Sequence, residues 1–461
     1  MKGREYKMLG TLLSAIITAW VGYMLYKKYK PQGVLLIAGI ALLVCTVVFG
    51  LGTILPAKQS TGFIWFDIFD AVKKLMSDRL AGLGLTIMSI GGFVRYMEQC
   101  GANNALVEVS SYPLKLVRSP MIIMMVAYVI GQVVDVFIPS HAGLGLLLML
   151  TLYPILVKAG LSKLTAVAII ATAKFTDIGP ISSNAILAAH TAGLDPVTYF
   201  MQYQLPVVIP SIIVVGIAHY FVQPWWDKRE GYTIGVSSDV EEAPTTGRVP
   251  RIYAILPTLP LILVIVFCPM FVKSIKMDVI TAMLICTVVA MIFEFVRLRD
   301  VRPVMDNVMT FFDGMGKQFV VVVSLIICAE TYAMGLVKIG TVDAVIQGAQ
   351  SAGFGLGSMV FIISMIMVVC SFIMGSGNAS FFAFAGLAPK IAEYLHVEPV
   401  LILLPMEITA GFGRCISPIT PAIVAIASIA GVSPFQVAKR CAIPVILGLI
   451  VNIITTYILF L

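Results

Sequence analysis

Apolar runs of about 20 residues, the length needed to cross a bilayer, alternate with short polar loops along nearly the whole chain. Ten runs read as crossings: 8–26, 33–55, 80–97, 161–194, 202–223, 252–272, 277–296, 317–337, 397–430 and 439–461. Two further apolar pairs, 119–159 and 356–395, carry Gly and Ser tips near their middles, at 139–145 and 374–380, and read as re-entrant helical hairpins. The runs at 161–194 and 397–430 are interrupted by small and polar residues around Pro180 and around Pro418 and Pro421. A freed backbone N–H or C=O facing lipid costs several kcal/mol, so such breaks are expected only where they line a cavity or are buried in protein. The pattern predicts an all-α polytopic membrane protein of about ten transmembrane helices plus two hairpins.

The broken stretch occurs twice. Gly193, Pro206 and Pro180 recur as Gly431, Pro444 and Pro418, each 238 residues on, and Gly101 recurs as Gly340, 239 residues on. Each half has five crossings and one hairpin, and an odd count inverts the second half relative to the first. Superposition of the halves should therefore place Pro180 on Pro418 and Ser140 near Gly375. Paired breaks in corresponding positions are a pointer to a transporter's binding site.

Composition agrees. Of the residues, 59% are hydrophobic and 12% are charged, and mean hydropathy is +0.99. Soluble domains carry about 25% charged residues. The net charge of +7 does not point to nucleic acid, because Lys and Arg fall in short loops where topology requires them. More of them lie on the side holding Lys27, Lys28, Lys30 and the pair Lys439 and Arg440, which puts that side in the cytoplasm and both termini outside. The first apolar run reads as a retained helix, since it ends in lysines without a small-residue cleavage site. The amphipathic stretches 63–79 and 303–317 suit helices lying in the interface. The polar stretch 225–251 reads as a linker between the halves. The eight cysteines are scattered and imply neither disulfide framework nor metal site.

Arg414 lies within the second broken helix, and a charge at membrane depth is a functional candidate by default. Its fork can grip a carboxylate bidentately; the alternative is a structural pair with Glu407 or a carbonyl. The tips Ser140, His141, Ala142, Gly143 and Ser376, Gly377, Asn378, Ser380 would start helices whose free N–H groups suit an anion. The oxygens of Ser140 and Asn378 would also suit a sodium ion. His141 could instead cap a helix. Ser182, Ser183, Asn184, Ser417 and Thr420 flank the breaks and can satisfy freed backbone groups or contact ligand. Lys174 and Asp177, three apart on one helix face, are expected to pair, and either is a coupling or gating candidate. Asp135, Glu407, Glu330 and His190 are further candidates.

The stretches SHAGLG, MGSGNASFFAF, GRCISPIT and GVSPFQVAKR resemble the anaerobic C4-dicarboxylate carrier family of the DcuC and DcuD type, essentially over the full length. The resemblance implies exchange or efflux of succinate and fumarate, and uptake of related dicarboxylates, in the bacterial inner membrane. It supports Ser140, Gly143, Asn378, Arg414, Ser417 and Pro418 as site residues. It also implies a homodimer of scaffold domains, each carrying a mobile transport domain that moves as an elevator. On that division 1–118 and 252–355 form the scaffold, 119–224 and 356–461 the transport domain, and 225–251 the linker. No cofactor is expected; sodium or a proton is the candidate coupling ion. An enzyme is not expected, because HExxH, GxSxG and paired catalytic aspartates are missing from the helices. A carrier of amino acids or another organic anion in the same fold is the alternative; Asp177, Asp135 or Glu407 would then meet the ammonium.

Overall fold

The computed structural model describes residues 2–117, 119–232, 249–267, 272, 274–275, 277–351 and 355–461, and among them it is helical without strands. The first half opens with α1 (Lys2–Tyr26) and α2 (Pro31–Val48). α3 (Ile64–Arg79) passes through a π-helical turn, Leu80–Gly84, into α4 (Leu85–Gln99). Next come α5 (Ala102–Ser110), α6 (Pro120–Asp135), α7 (His141–Lys158), α8 (Lys163–Ala171) and α9 (Ser183–Thr191). α10 (Pro196–Tyr199) continues through a second π turn into α11 (Leu205–Arg229). The second half begins with a 3-10 stretch, Arg251–Thr258, leading into α12 (Leu259–Val266), then α13 (Val279–Leu298). α14 (Val301–Gln318) passes through the π turn Phe319–Val323 into α15 (Ser324–Lys338). α16 (Thr341–Ser351), α17 (Leu356–Met374), α18 (Gly377–Ala385), α19 (Ala388–Leu395), α20 (Val400–Cys415), α21 (Pro421–Ala430) and α22 (Pro434–Phe460) complete the chain.

Among the described residues nine helices are long and apolar enough to cross a membrane, including the continuous runs Ile64–Gln99, Pro196–Arg229 and Val301–Lys338. The stretches expected as separate interfacial helices, 63–79 and 303–317, are thus the first parts of rods about 54 to 57 Å long at 1.5 Å per residue. Each continues into the next apolar run because nothing at the junction breaks a helix; the polar-to-apolar change is absorbed by a π turn. The linker is also shorter than its composition suggests. Its first residues belong to α11, where Asp227 is buried. Residues 233–248, and the end of the crossing expected at 252–272, lie outside the described residues.

The repeat is visible in the backbone. The π turns at 80–84 and 319–323 are 239 residues apart. Gly101 and Gly340 have φ of 79° and 85°, and Gly193 and Gly431 have φ of 71° and 67°, at matching helix ends. Packing crosses between the halves: α2 lies on α15, α4 on α13 and α14, α7 on α21, α9 on α18, and α11 on α22. One large apolar core contains residues from both halves.

Local chemistry sets the helix starts around the breaks. Ser140 Oγ accepts from Gly143 N at 3.1 Å to cap α7, and Ser376 Oγ accepts from Ala379 N at 3.2 Å to cap α18. By role Ser140 therefore matches Ser376, one residue past the Gly375 expected from the repeat. The cap of α7 is Ser140 and not His141, because a hydroxyl on extended backbone reaches the third N–H of the helix. Pro421 opens α21 at a position where no backbone N–H is needed.

Candidate functional site

The two broken helices meet. Gly411 of α20 lies so close to the first break that a Cβ there would stand 2.3 Å from the carbonyl oxygen of Phe175. Gly377, at the start of α18, would place a Cβ 2.8 Å from the Ala410 oxygen. Glycine at both points lets the start of α18, the first break and the second break share one centre. The first break is built from Asp177, at φ 56°, and Gly179, at φ 119°, before Pro180. Its freed groups find partners: Gly179 N donates to Gln204 Oε1 at 3.0 Å, and the Thr172 oxygen accepts from Gln132 at 2.9 Å. In the second break Thr420 Oγ1 donates to the Arg414 oxygen at 2.7 Å, and Ser417 Oγ to the Phe372 oxygen at 2.7 Å. Ser417 and Thr420 thus perform the backbone-satisfying role expected of them.

Arg414 reaches from the second break into the first. Nη1 donates to Asp177 Oδ2 at 3.3 Å and to Asn378 Oδ1 at 3.1 Å, and Nη2 donates to the Lys174 carbonyl at 2.8 Å. Its Nε is buried without a partner. The structural pair with Glu407 is not formed. Glu407 is fully buried and accepts instead from Tyr199 Oη at 2.8 Å and from Gln204 Nε2 at 2.9 and 3.1 Å. Asp177 takes its place because it stands on the break, whereas Glu407 lies almost two turns back along α20 and faces α10 and the adjoining π turn.

Behind Arg414 is a buried ion cluster. Lys174 Nζ lies 2.5 Å from Asp135 Oδ1 and 2.8 Å from Asp177 Oδ1, so the expected Lys174–Asp177 pair is present with a second carboxylate added. Asn184 Nδ2 donates to Asp177 Oδ2 at 3.0 Å. Asp135 Oδ2, Thr176 Oγ1, Ser182 Oγ and Asn184 Oδ1 are buried and have no hydrogen-bond partner.

In front of Arg414 lies a cavity of about 950 Å³. Of the expected site residues, His141, Ser376, Gly377, Asn378, Arg414 and Thr420 line it, together with Ala142. Ser140, Gly143, Ser182, Ser183, Asn184, Ser417, Asp135, Lys174, Asp177 and Glu407 are not in its wall. Ser380 is tied to Ser371, oxygen to oxygen at 2.5 Å. Glu330 is held by Arg79 Nε at 2.6 Å, and His190 faces Gly82 on the first π turn; neither belongs to the cavity.

The opposite wall was not legible in the sequence. It includes Lys28 and Lys30 from the α1–α2 connection, Gln32 from the start of α2, Val320, Val321 and Val322 from the π turn Phe319–Val323, and Ser324 at the start of α15. The lysines read as topology signals, and a π turn leaves no mark in an apolar run. Gln204 and Tyr199 were missed because they sit near a helix start, where polar residues are ordinary. Arg440, counted among the loop charges, is 2% exposed and pairs with Asp227 and Glu230, each at 2.6 Å.

A model of the family described as "C4-dicarboxylate anaerobic carrier", DcuC, matches residues 9–461. The chain belongs to the anaerobic C4-dicarboxylate carrier family. Members of this family are transporters, not enzymes. Its relatives include the probable anaerobic C4-dicarboxylate transporter DcuC of Vibrio cholerae, 35% identical over 456 residues that cover 99% of each chain. DcuC of Escherichia coli K12 is 34% identical over 446 residues, covering 96% of this chain and 95% of that one. Among solved structures, the YdaH transporter of Alcanivorax borkumensis superposes with a TM-score of 0.66 at 13% identity, covering 93% of this chain and 98% of that one. MtrF of Neisseria gonorrhoeae, described within a class of antimetabolite efflux pumps, gives 0.58 at 11% identity, covering 94% and 95%. These two likenesses concern the fold.

Proposed function

We propose that this protein is a secondary active transporter of C4-dicarboxylates, succinate, fumarate and their relatives, working by exchange or ion-coupled alternating access in the bacterial inner membrane. The observation that carries the reading is the cavity in front of Arg414. There a buried guanidinium meets the N-terminal ends of α7, α18 and α21, each of which offers N–H groups and the positive end of its dipole to an anion. Lys28 and Lys30 add positive charge to the facing wall. A substrate with carboxylates at both ends can place one on Arg414 and direct the other at a helix N-terminus. An amino acid would need an acid for its ammonium, yet Asp135, Asp177 and Glu407 are outside the cavity wall and already engaged.

The moving part on this reading comprises 119–224 and 356–461, with the two helix pairs α6–α7 and α17–α18 as its re-entrant hairpins, and 1–118 with 252–355 as scaffold. The cavity supports that division, because one wall comes from each part. The scaffolds would pair in a homodimer, with both chain termini in the periplasm and lipid against the exposed apolar faces of α1, α13 and α22. Purified protein in liposomes loaded with unlabelled succinate should take up labelled fumarate by counterflow, and external succinate, but not glutamine or alanine, should compete. Uptake of an amino acid in place of the dicarboxylate would overturn the assignment.

A further inference from the structure

Lys174 is buried, 1% exposed, between two carboxylates from different segments: Asp135 at the end of α6 and Asp177 on the first break. Asp135 Oδ2, Thr176 Oγ1, Ser182 Oγ and Asn184 Oδ1 lack partners, all on the same break or beside it. Carboxylate, hydroxyl and amide oxygens together are the donor set that a hard cation selects. The Lys174 ammonium already holds one oxygen of each carboxylate, Asp135 Oδ1 and Asp177 Oδ1. The charges also close without an ion: Asp135 and Asp177 are balanced by Lys174 and Arg414. A further cation would face two fixed positive charges at short range in a medium of low dielectric, and the third buried carboxylate, Glu407, is already held by Tyr199 and Gln204.

We infer that the Lys174 ammonium is a tethered counter-cation, standing where a coupling sodium ion would otherwise bind, so that the site takes its dianion without sodium. The role rests on the dicarboxylate reading for its substrate and on geometry alone for its cation. It follows that this cluster is closed on its own charges in the empty carrier and that one dianion can leave as another enters with no sodium accompanying either.

The test uses purified full-length protein at constant ionic strength, with sodium replaced by choline. Substrate-free wild type should melt at the same temperature in both salts, and succinate affinity should agree within twofold. Lys174→Ala leaves the two carboxylates facing Arg414 alone. Its melting temperature should rise with sodium and saturate, as expected for a ligand that binds only the folded state, and its succinate affinity should become sodium-dependent. Lys174→Ala with Asp135→Asn removes the pair together and should fold without any sodium response. A sodium-dependent shift in the wild type, or a folded Lys174→Ala indifferent to sodium, overturns the inference. So does a Lys174→Ala protein unfolded in both salts while the double variant folds, since sodium then cannot replace the ammonium. The expected melting pattern without succinate binding in either salt would leave the tethered cation standing and remove the dicarboxylate.

Discussion

Arg414 Nη1 is shared between an acid and an amide, Asp177 on one side and Asn378 on the other. That sharing leaves the guanidinium held in place but not saturated, since Nε has no partner. Asn378 is the cavity-side half of the arrangement, so it sets how much of the positive charge a ligand meets. Asn378→Asp puts a carboxylate 3.1 Å or so from Nη1 and makes a second charged partner for it. Succinate affinity should fall at least tenfold while the melting temperature of the substrate-free protein holds or rises; calorimetry on a variant of checked stability reads both. The candidates in this centre were legible because polar residues inside apolar runs are expensive and therefore conspicuous. Which of them touch was legible only for Lys174 and Asp177, three apart in the chain. Asp177 and Arg414 are far apart in sequence, and only the crossing of two breaks brings them together. Glu407 looked like the natural partner because it shares a helix with Arg414.

At the level of elements, the two breaks and the start of α18 converge because glycine stands where backbones nearly touch, at Gly377 and Gly411. Gly411 is the tightest of these points. Gly411→Ala forces either α20 or the first break to move, and overpacking of this kind costs about 1–3 kcal/mol. The melting temperature should fall, and succinate binding should weaken with it, because the displaced segment carries Asp177 and the Lys174 carbonyl that hold Arg414. A variant as stable as the wild type would show that the two breaks are not in rigid contact. The breaks themselves were readable from their Gly, Ser and Pro content, and Thr420 and Ser417 do seal freed carbonyls as such residues can. The π turns were not: Leu80–Gly84 holds two glycines and Phe319–Val323 is apolar throughout, and neither pattern sets a π turn apart from the α-helix on either side of it. That is also why two stretches that read as interfacial helices prove to be parts of longer rods.

At the scale of the molecule, the internal repeat supplies the framework and the differences between its copies supply the chemistry. Backbone conformations match across 238 or 239 residues, whereas Arg414 has Thr176 at its counterpart position and Lys174 has Phe412. A repeat in sequence therefore foretold a repeated backbone frame but could not foretell a charge set drawn from both halves. Motion of one part against the other can be tested where they touch. Ala333 of α15 and Gly386, just past α18, face each other closely enough that a Cβ on Gly386 would be 3.5 Å from that of Ala333, within the range a disulfide spans. Oxidised Ala333→Cys/Gly386→Cys should bind succinate but exchange none, and reduction should restore exchange. Full exchange by the oxidised form would mean that α15 and the α18 region move together.

On the dicarboxylate reading, Arg414 receives a substrate carboxylate in the cavity that it lines with the starts of α7 and α18. Succinate binding by calorimetry to wild type, Arg414→Lys and Arg414→Ala, each first checked for folding in the absence of substrate, measures this directly. Loss of one member of a buried charge pair costs roughly 2–5 kcal/mol, so Arg414→Ala should bind at least tenfold more weakly. Arg414→Lys should recover only part of the loss, because an ammonium cannot reproduce the planar fork. Equal affinity in the wild type and a well-folded Arg414→Ala would contradict the claim and remove Arg414 from the site.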